Sequence, residues 1–200
     1  MNQRIPVTAT VLGLLLAMSI SLMAQGGFAN RNGMAGNGPC AACTTAPVSS
    51  QTLTDAEKTW LLFLREEEKL ARDVYLFLYD ANKLNIFANI AKSEQRHFDA
   101  IGNLIKRYGL EDPASTEAGV FSNADLQEAY NTLTKQGLVS VVEALKVGVA
   151  IELKDIEDLT AALGKTSRTD IIRVYSNLLN GSEKHLAAFE SHLQVLGVNP

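Results

Sequence analysis

Four amphipathic stripes, each interrupted near its middle by a carboxylate or an imidazole, constrain this 200-residue chain more than any other feature. Thr54 and Glu57 form a capping-box signature, and apolar residues then recur at helical spacing to about Asp80. Further periodic runs extend from Ile86 to Tyr108, from Leu138 to Leu163, and from Thr169 to just before Gly197. The inward stripe of the first run reads Leu61, Leu64, Glu68, Ala71, Tyr75 and Leu78. The second reads Ile90, Glu94, His97, Ile101, Leu104 and Tyr108. The third reads Leu145, Val149, Glu152, Ile156, Leu159 and Leu163. The fourth reads Ile171, Tyr175, Leu178, Ser182, His185, Phe189, His192 and Leu196. Such stripes are the seams of a helical bundle and should be apolar throughout.

An unpaired carboxylate in a core is costly unless it is protonated or meets a cation, so four interrupted stripes require a common cause. In an antiparallel pair, two residues stand level when they lie equally far from the connecting turn. The midpoint of Glu68 and Glu94 is Ala81, within the first predicted turn, and that of Glu152 and His185 falls between Ser167 and Arg168, within the last. Both pairs are therefore expected to face each other. The connection spanning 109–137 is too long for a hairpin and contains a short helix capped by Ser122 or Asn123. It suits a crossover that leaves the second and third long helices parallel. Level carboxylates and imidazoles in a helical interior are hard ligands suited to iron or manganese, and the absence of a core thiolate disfavours copper(I) and iron–sulfur clusters.

Composition bounds the alternatives. A chain with 46% hydrophobic and 20% charged residues is neither disordered nor a polytopic membrane protein, and a net charge of -4 gives no reason to expect a nucleic-acid partner. Residues 1–54 hold only Arg4 and Arg31 and no acid, so residues 55–200 carry 16 bases against 22 acids. The first 29 residues have the layout of a secretory signal peptide. A basic start at Arg4 precedes an apolar run from Val11 to Ala24, followed by small residues at Gly26, Gly27 and Ala29. Gly13, Ser19 and Ser21 interrupt the run before Gln25, leaving it short of the ~20 apolar residues of a membrane span. Cleavage between Gln25 and Asn30 would leave no stable membrane anchor and place the mature chain in the periplasm or outside the cell. Residues 30–52 read as a flexible linker. Within it, Cys40 and Cys43 have a spacing suited to a local disulfide or half a metal site, and Thr44 excludes the haem-attachment pattern.

The run Glu68, Ala71, Arg72, Tyr75, followed by Glu94-x-x-His97 and by Glu152 with Asp155, resembles the ligand helices of the ferritin-like superfamily, specifically rubrerythrin-like di-iron carboxylate proteins. The segments Arg65 to Tyr75 and Gly181 to Phe189 are more similar still to a subgroup of bacterial and archaeal ferritin-like domains of unknown function. The resemblance covers about 53–197 and implies an all-α, four-helix domain over 53–200. It also implies metal ligands Glu68, Glu94, His97, Glu152, Asp155 and His185, one or two iron ions or manganese, and peroxidase-like or ferroxidase-like reactivity with oxygen or peroxide. A homodimer is compatible with such a bundle. The sequence departs from the pattern at Ser182, where a second Glu-x-x-His would place its carboxylate. It also lacks the four-cysteine electron-transfer module of a full rubrerythrin. The bland alternatives are a non-catalytic metal-binding or sensing protein of the cell envelope and a metal-free structural bundle. Glu66 and Glu67 are expected to be solvated, with Glu143, Glu157, Asp158 and Glu190 as surface charge. His192 lies too far along its helix from His185 to join it. Tyr75, Tyr108 and Tyr175 should direct their hydroxyls to carboxylates, and Trp60 should pack at a helix end.

Overall fold

The computed structural model describes residues 52–199. The leader at 1–29 and the linker with Cys40 and Cys43, as far as residue 51, lie outside the described residues. Five helices and no strand occur among them: α1 (Asp55–Asn82), α2 (Asn85–Arg107), α3 (Ala124–Gly137), α4 (Val141–Leu163) and α5 (Thr169–Val195). No helix among the described residues is long and apolar enough to cross a membrane.

Local chemistry sets the helix ends. The Thr54 hydroxyl accepts from the Glu57 amide at 3.1 Å while Glu57 accepts from the Thr54 amide at 2.8 Å, completing the capping box. Lys83 ends α1 in the left-handed region at φ 55° and makes a two-residue link to α2. Asn123 caps α3 through the amides of Asp125 and Leu126, and Ser140 caps α4 through the amide of Glu143.

Contacts along the helices fix their directions. Near the start of α1, Glu57 meets Thr166 at 2.7 Å, beyond the end of α4. Near its far end, the Tyr75 hydroxyl meets Glu152 at 2.7 Å, so α1 and α4 run antiparallel. The Tyr108 hydroxyl after α2 donates to Asp170 at the start of α5 at 2.9 Å, and Phe87 stacks near Phe189, so α2 and α5 are also antiparallel. With tight turns joining α1 to α2 and α4 to α5, the segment between α2 and α4 must return along the molecule, and α2 and α4 are parallel.

That crossover is clamped to α1 by charge. Arg65 forks onto Asp112, with Nε at 3.0 Å and Nη2 at 2.8 Å from Oδ2, and it also donates to the Phe98 carbonyl. Lys69 Nζ lies 2.6 Å from Asp73 Oδ2, which also accepts from the Gly119 amide at 2.9 Å. The expectation that Glu66 is solvated is corrected. It is buried, accepting the amides of Ser122 at 2.6 Å and Asn123 at 3.0 Å just ahead of α3. Glu67 and Asp158 are likewise buried rather than solvated, on the α1 and α4 side. Every residue from Phe63 to Ala71 is buried, because α1 is covered by α2, by α4 and by the crossover. On α5 the seam steps from Phe189 to Leu193, leaving His192 and Leu196 exposed where the stripe had placed them inward.

Candidate metal centre

The helices bring five of the six expected residues into contact, as two triads with a common member. Ligand atoms of Glu68, Glu94 and His97 lie within 4.8 Å of one another, and so do those of Glu94, Glu152 and His185. Glu94 and His97 are one turn apart on α2 and so share a face. Glu68 arrives from α1, Glu152 from α4 and His185 from α5. Glu94 turns its two oxygens in different directions. Oε2 lies 2.8 Å from His97 Nδ1, and Oε1 lies 2.7 Å from His185 Nδ1. Each imidazole nitrogen has a further carboxylate beside it, Glu68 Oε2 at 3.3 Å from His97 and Glu152 Oε2 at 3.5 Å from His185. The two rings are 5.6 Å apart and inclined by 30°.

Close approach here depends on Gly181. A Cβ at that position would stand 2.6 Å from His97 Nε2, so the bare backbone of α5 admits the outer edge of the ring while Nδ1 faces the carboxylates. On the far side, the Tyr75 hydroxyl donates to Glu152 Oε1, and its ring packs against Phe87 and Phe189. Tyr108 also meets a carboxylate, Asp170, as expected. Tyr175 does not: its buried hydroxyl has no hydrogen-bond partner. Trp60 packs edge-on against Phe63 near the start of α1.

The charges of the metal-free cluster follow from crowding. Burial, with Asp155 adding to it, raises the Glu68 carboxyl well above the usual range, and burial with Glu94 nearby pushes Glu152 up to about 8. Burial alone would raise Glu94, but His185 and His97 hold it down at about 2. Burial would lower the imidazoles, yet Glu68 and Glu94 lift His97 to about 11, and Glu152 and Glu94 lift His185 to about 9. The imidazoles and the outer carboxyls thus hold their protons around an ionised Glu94.

The contact geometry fits a shared cation better than mutual hydrogen bonds. Glu68 Oε1, Glu94 Oε1, His97 Nδ1 and His185 Nδ1 are all buried without an aligned partner, although the His185 and Glu94 atoms are 2.7 Å apart. Ions bound at about 2.0 to 2.2 Å bring their ligand atoms to within roughly 4.4 Å of each other, so small side-chain shifts would close either triad. Asp155 belongs to neither triad. Its Oδ2 accepts the Ser182 hydroxyl, and burial, opposed by that hydrogen bond, leaves its carboxyl raised to about 7. His192 is exposed, with Nδ1 at 2.8 Å from the Ala188 carbonyl of its own helix. Sequence reasoning missed a neighbouring buried group, Glu67 with Asp158 and Lys154. The only signal was the Lys154 and Asp158 pair four residues apart, now joined at 2.6 Å.

The comparisons agree on the extent of the domain. The protein is similar to the uncharacterized protein MJ0754 of Methanocaldococcus jannaschii, at 49% identity over 150 residues, covering 74% of this chain and 81% of the relative. The crystal structure of that hypothetical protein, at 48% sequence identity, matches with a TM-score of 0.74 over 75% of this chain and 86% of the other. The model of an uncharacterized protein domain, DUF2202, matches residues 57–199, which span all the elements that build the cluster, and the chain belongs to that family.

Proposed function

We propose that this domain is a ferritin-like metal protein that holds two iron or manganese ions between its two triads, and that its iron form reacts with oxygen or peroxide. The observation that carries this reading is the placement of Glu94, one buried carboxylate with an oxygen beside each of two imidazoles, its Oε1 and both Nδ1 atoms being buried without an aligned hydrogen bond. Glu68, Glu94 and His97 would hold one ion, and Glu94, Glu152 and His185 the other. Hard oxygen and nitrogen donors suit ferrous, ferric and manganous ions. Bound iron supplies the capacity to exchange electrons with oxygen or peroxide.

The protein's own groups prepare the site. Tyr75 fixes Glu152 by donating to Oε1, and Phe87 and Phe189 exclude water behind it. The side chains of Glu68, Glu94 and Glu152 are sealed at 1–2% exposure, whereas His97 and His185 remain 11% and 12% exposed. A small oxidant therefore approaches over the imidazole edges. Buried, preoriented carboxylates favour the higher charge of an oxidised ion.

The test is metal content after purification from iron-supplemented cells, followed by the rate of ferrous oxidation with oxygen and with peroxide. Two ions per chain and oxidation faster than that of free ferrous ion are expected. A protein free of metal would be a structural bundle, and one that binds iron without faster oxidation would be a metal-binding or sensing protein. The reading also places the mature chain outside the cytoplasm. Amino-terminal sequencing of protein from the native host should find a start between Gln25 and Asn30, and an intact Met1 on soluble cytoplasmic material would contradict it.

A further inference from the structure

At one end of the bundle the last layer of the α4 and α5 seam is apolar and uncovered. Three contacts set the register of these helices. Phe189 packs over Gly148, where a Cβ would stand 2.5 Å from its ring, Glu152 Oε2 lies 3.5 Å from His185 Nδ1, and Asp155 accepts from Ser182. Each step forward on α4 is matched by an equal step back on α5. Seven residues before Gly148 and seven after Phe189, the same register brings Val141 level with Leu196. Both are exposed, as is Val195, and the turn between α3 and α4 adds Leu138 and Val139 at the same end. Five of the eight large exposed apolar residues among the described ones thus gather there, from 38% exposed at Val141 to 84% at Val195.

These side chains are held in place. A Cβ on Gly137 would stand 2.3 Å from Leu78, so the end of α3 sits tightly on α1, and Ser140 then caps α4. Gly197 takes φ 73°, its amide donating to the Gln194 carbonyl at 2.9 Å and that of Val198 to Leu193 at 3.0 Å, which closes α5 in a Schellman motif.

Charge selects the occupant. Residues 136–142 and 191–199 contain no Asp, Glu, Lys or Arg, and Glu143 beside them is answered by Lys146 and Gln136, each at 2.9 Å. Such a face offers nothing to hold a charged peptide. Residues 55–200, with 16 bases against 22 acids, are repelled by an anionic lipid surface. A second copy brings the same neutral face and keeps the acidic flanks apart. At these exposures the five side chains leave roughly 500 Å² of apolar surface, about the apolar share of the ~800 Å² that each partner contributes to a stable interface.

We propose that two copies of this chain pair about a two-fold axis through this end, with Leu138, Val139, Val141, Val195 and Leu196 at the centre of the contact. His185 lies eleven residues before Leu196, about 16 Å along α5, so pairing leaves the imidazole edges open.

The test is sedimentation velocity of the exported protein across the micromolar range, with circular dichroism to establish folding. The wild type should be a dimer. Val139→Glu and Val195→Glu each place two like charges across the axis and should weaken the dimer by about 100-fold with helicity unchanged; should one variant misfold, the other carries the test. Leu153→Glu alters another exposed apolar residue, about 18 Å along α4 from Val141, and should leave the dimer intact. A monomeric wild type overturns the proposal, and one that also sediments with phosphatidylglycerol vesicles gives this face to a membrane instead. A dimer that survives both folded variants places the interface elsewhere and overturns it equally.

Discussion

At the scale of single residues, the cluster depends on what surrounds each side chain as much as on the side chain itself. His97 presents Nδ1 inward only because Nε2 and Cε1 lie against the bare α5 backbone, where a Cβ on Gly181 would come within 2.6 and 2.7 Å. A glycine inside a helix normally destabilises it by about 1 kcal/mol relative to alanine. Gly181→Ala therefore sets two effects against each other, a gain in helix propensity and a displaced imidazole. The expected result is a folded protein of undiminished helicity whose affinity for manganous ion falls by about 10-fold or more, as for loss of a group that orients a ligand. Titration calorimetry together with circular dichroism checks this. Unchanged affinity would mean that the ring can shift without loss and that its orientation is unimportant.

At the scale of the helices, α1 shows what the sequence could and could not reveal. Its length, its capping box and the stripe from Leu61 to Leu78 were legible from spacing, as was the level pairing of Glu68 with Glu94. The fates of Glu66 and Glu67 were not, since both lie off that stripe and their partners are remote in sequence. Those of Glu66 are amides at 122 and 123, brought back by the crossover. A charged residue beside a stripe looks solvated until a third element covers it. The α5 seam was legible only to Phe189. Beyond it, the true helical period carries the next inward position to Leu193, where a seven-residue repeat selects His192. Glu66→Ala should expose the energetic role of the crossover clamp. It removes two charge-assisted hydrogen bonds of about 1.5 to 3 kcal/mol each, some of which water would recover, so a loss of roughly 3 kcal/mol in urea unfolding is expected. Metal stoichiometry should stay unchanged, because Glu66 faces the crossover and not the triads.

At the scale of the whole molecule, the cluster ties stability to pH, and on the proposed metal reading an ion would act with the opposite sign. Without metal, Glu152 is raised to about 8, Asp155 to about 7 and Glu68 well above its usual value, while His185 and His97 are raised to about 9 and 11. Unfolded Glu and His titrate near about 4.3 and 6.5. Between those values and the raised ones, the folded state binds more protons than the unfolded chain, so stability falls as pH rises through this window. Glu94 works in the other direction, but its contribution is lost only as pH falls from about 4 towards 2. From pH 6 to 8 the first group therefore dominates, and the metal-free protein should melt at a lower temperature at pH 8. On the proposed reading an ion would reverse the trend, because it would bind deprotonated carboxylates and neutral imidazoles and would have to displace their protons. Ferrous or manganous ion should accordingly raise the melting temperature more at pH 8 than at pH 6, by mass action on the folded state. The double variant Glu94→Ala with His97→Ala removes the carboxylate common to both triads and one imidazole. It should fold, lose much of the pH dependence between 6 and 8, and show no metal-induced shift. Equal shifts in the wild type and the double variant would place the ion elsewhere on the molecule, and the shared carboxylate would then be a structural feature of a proton-balanced core.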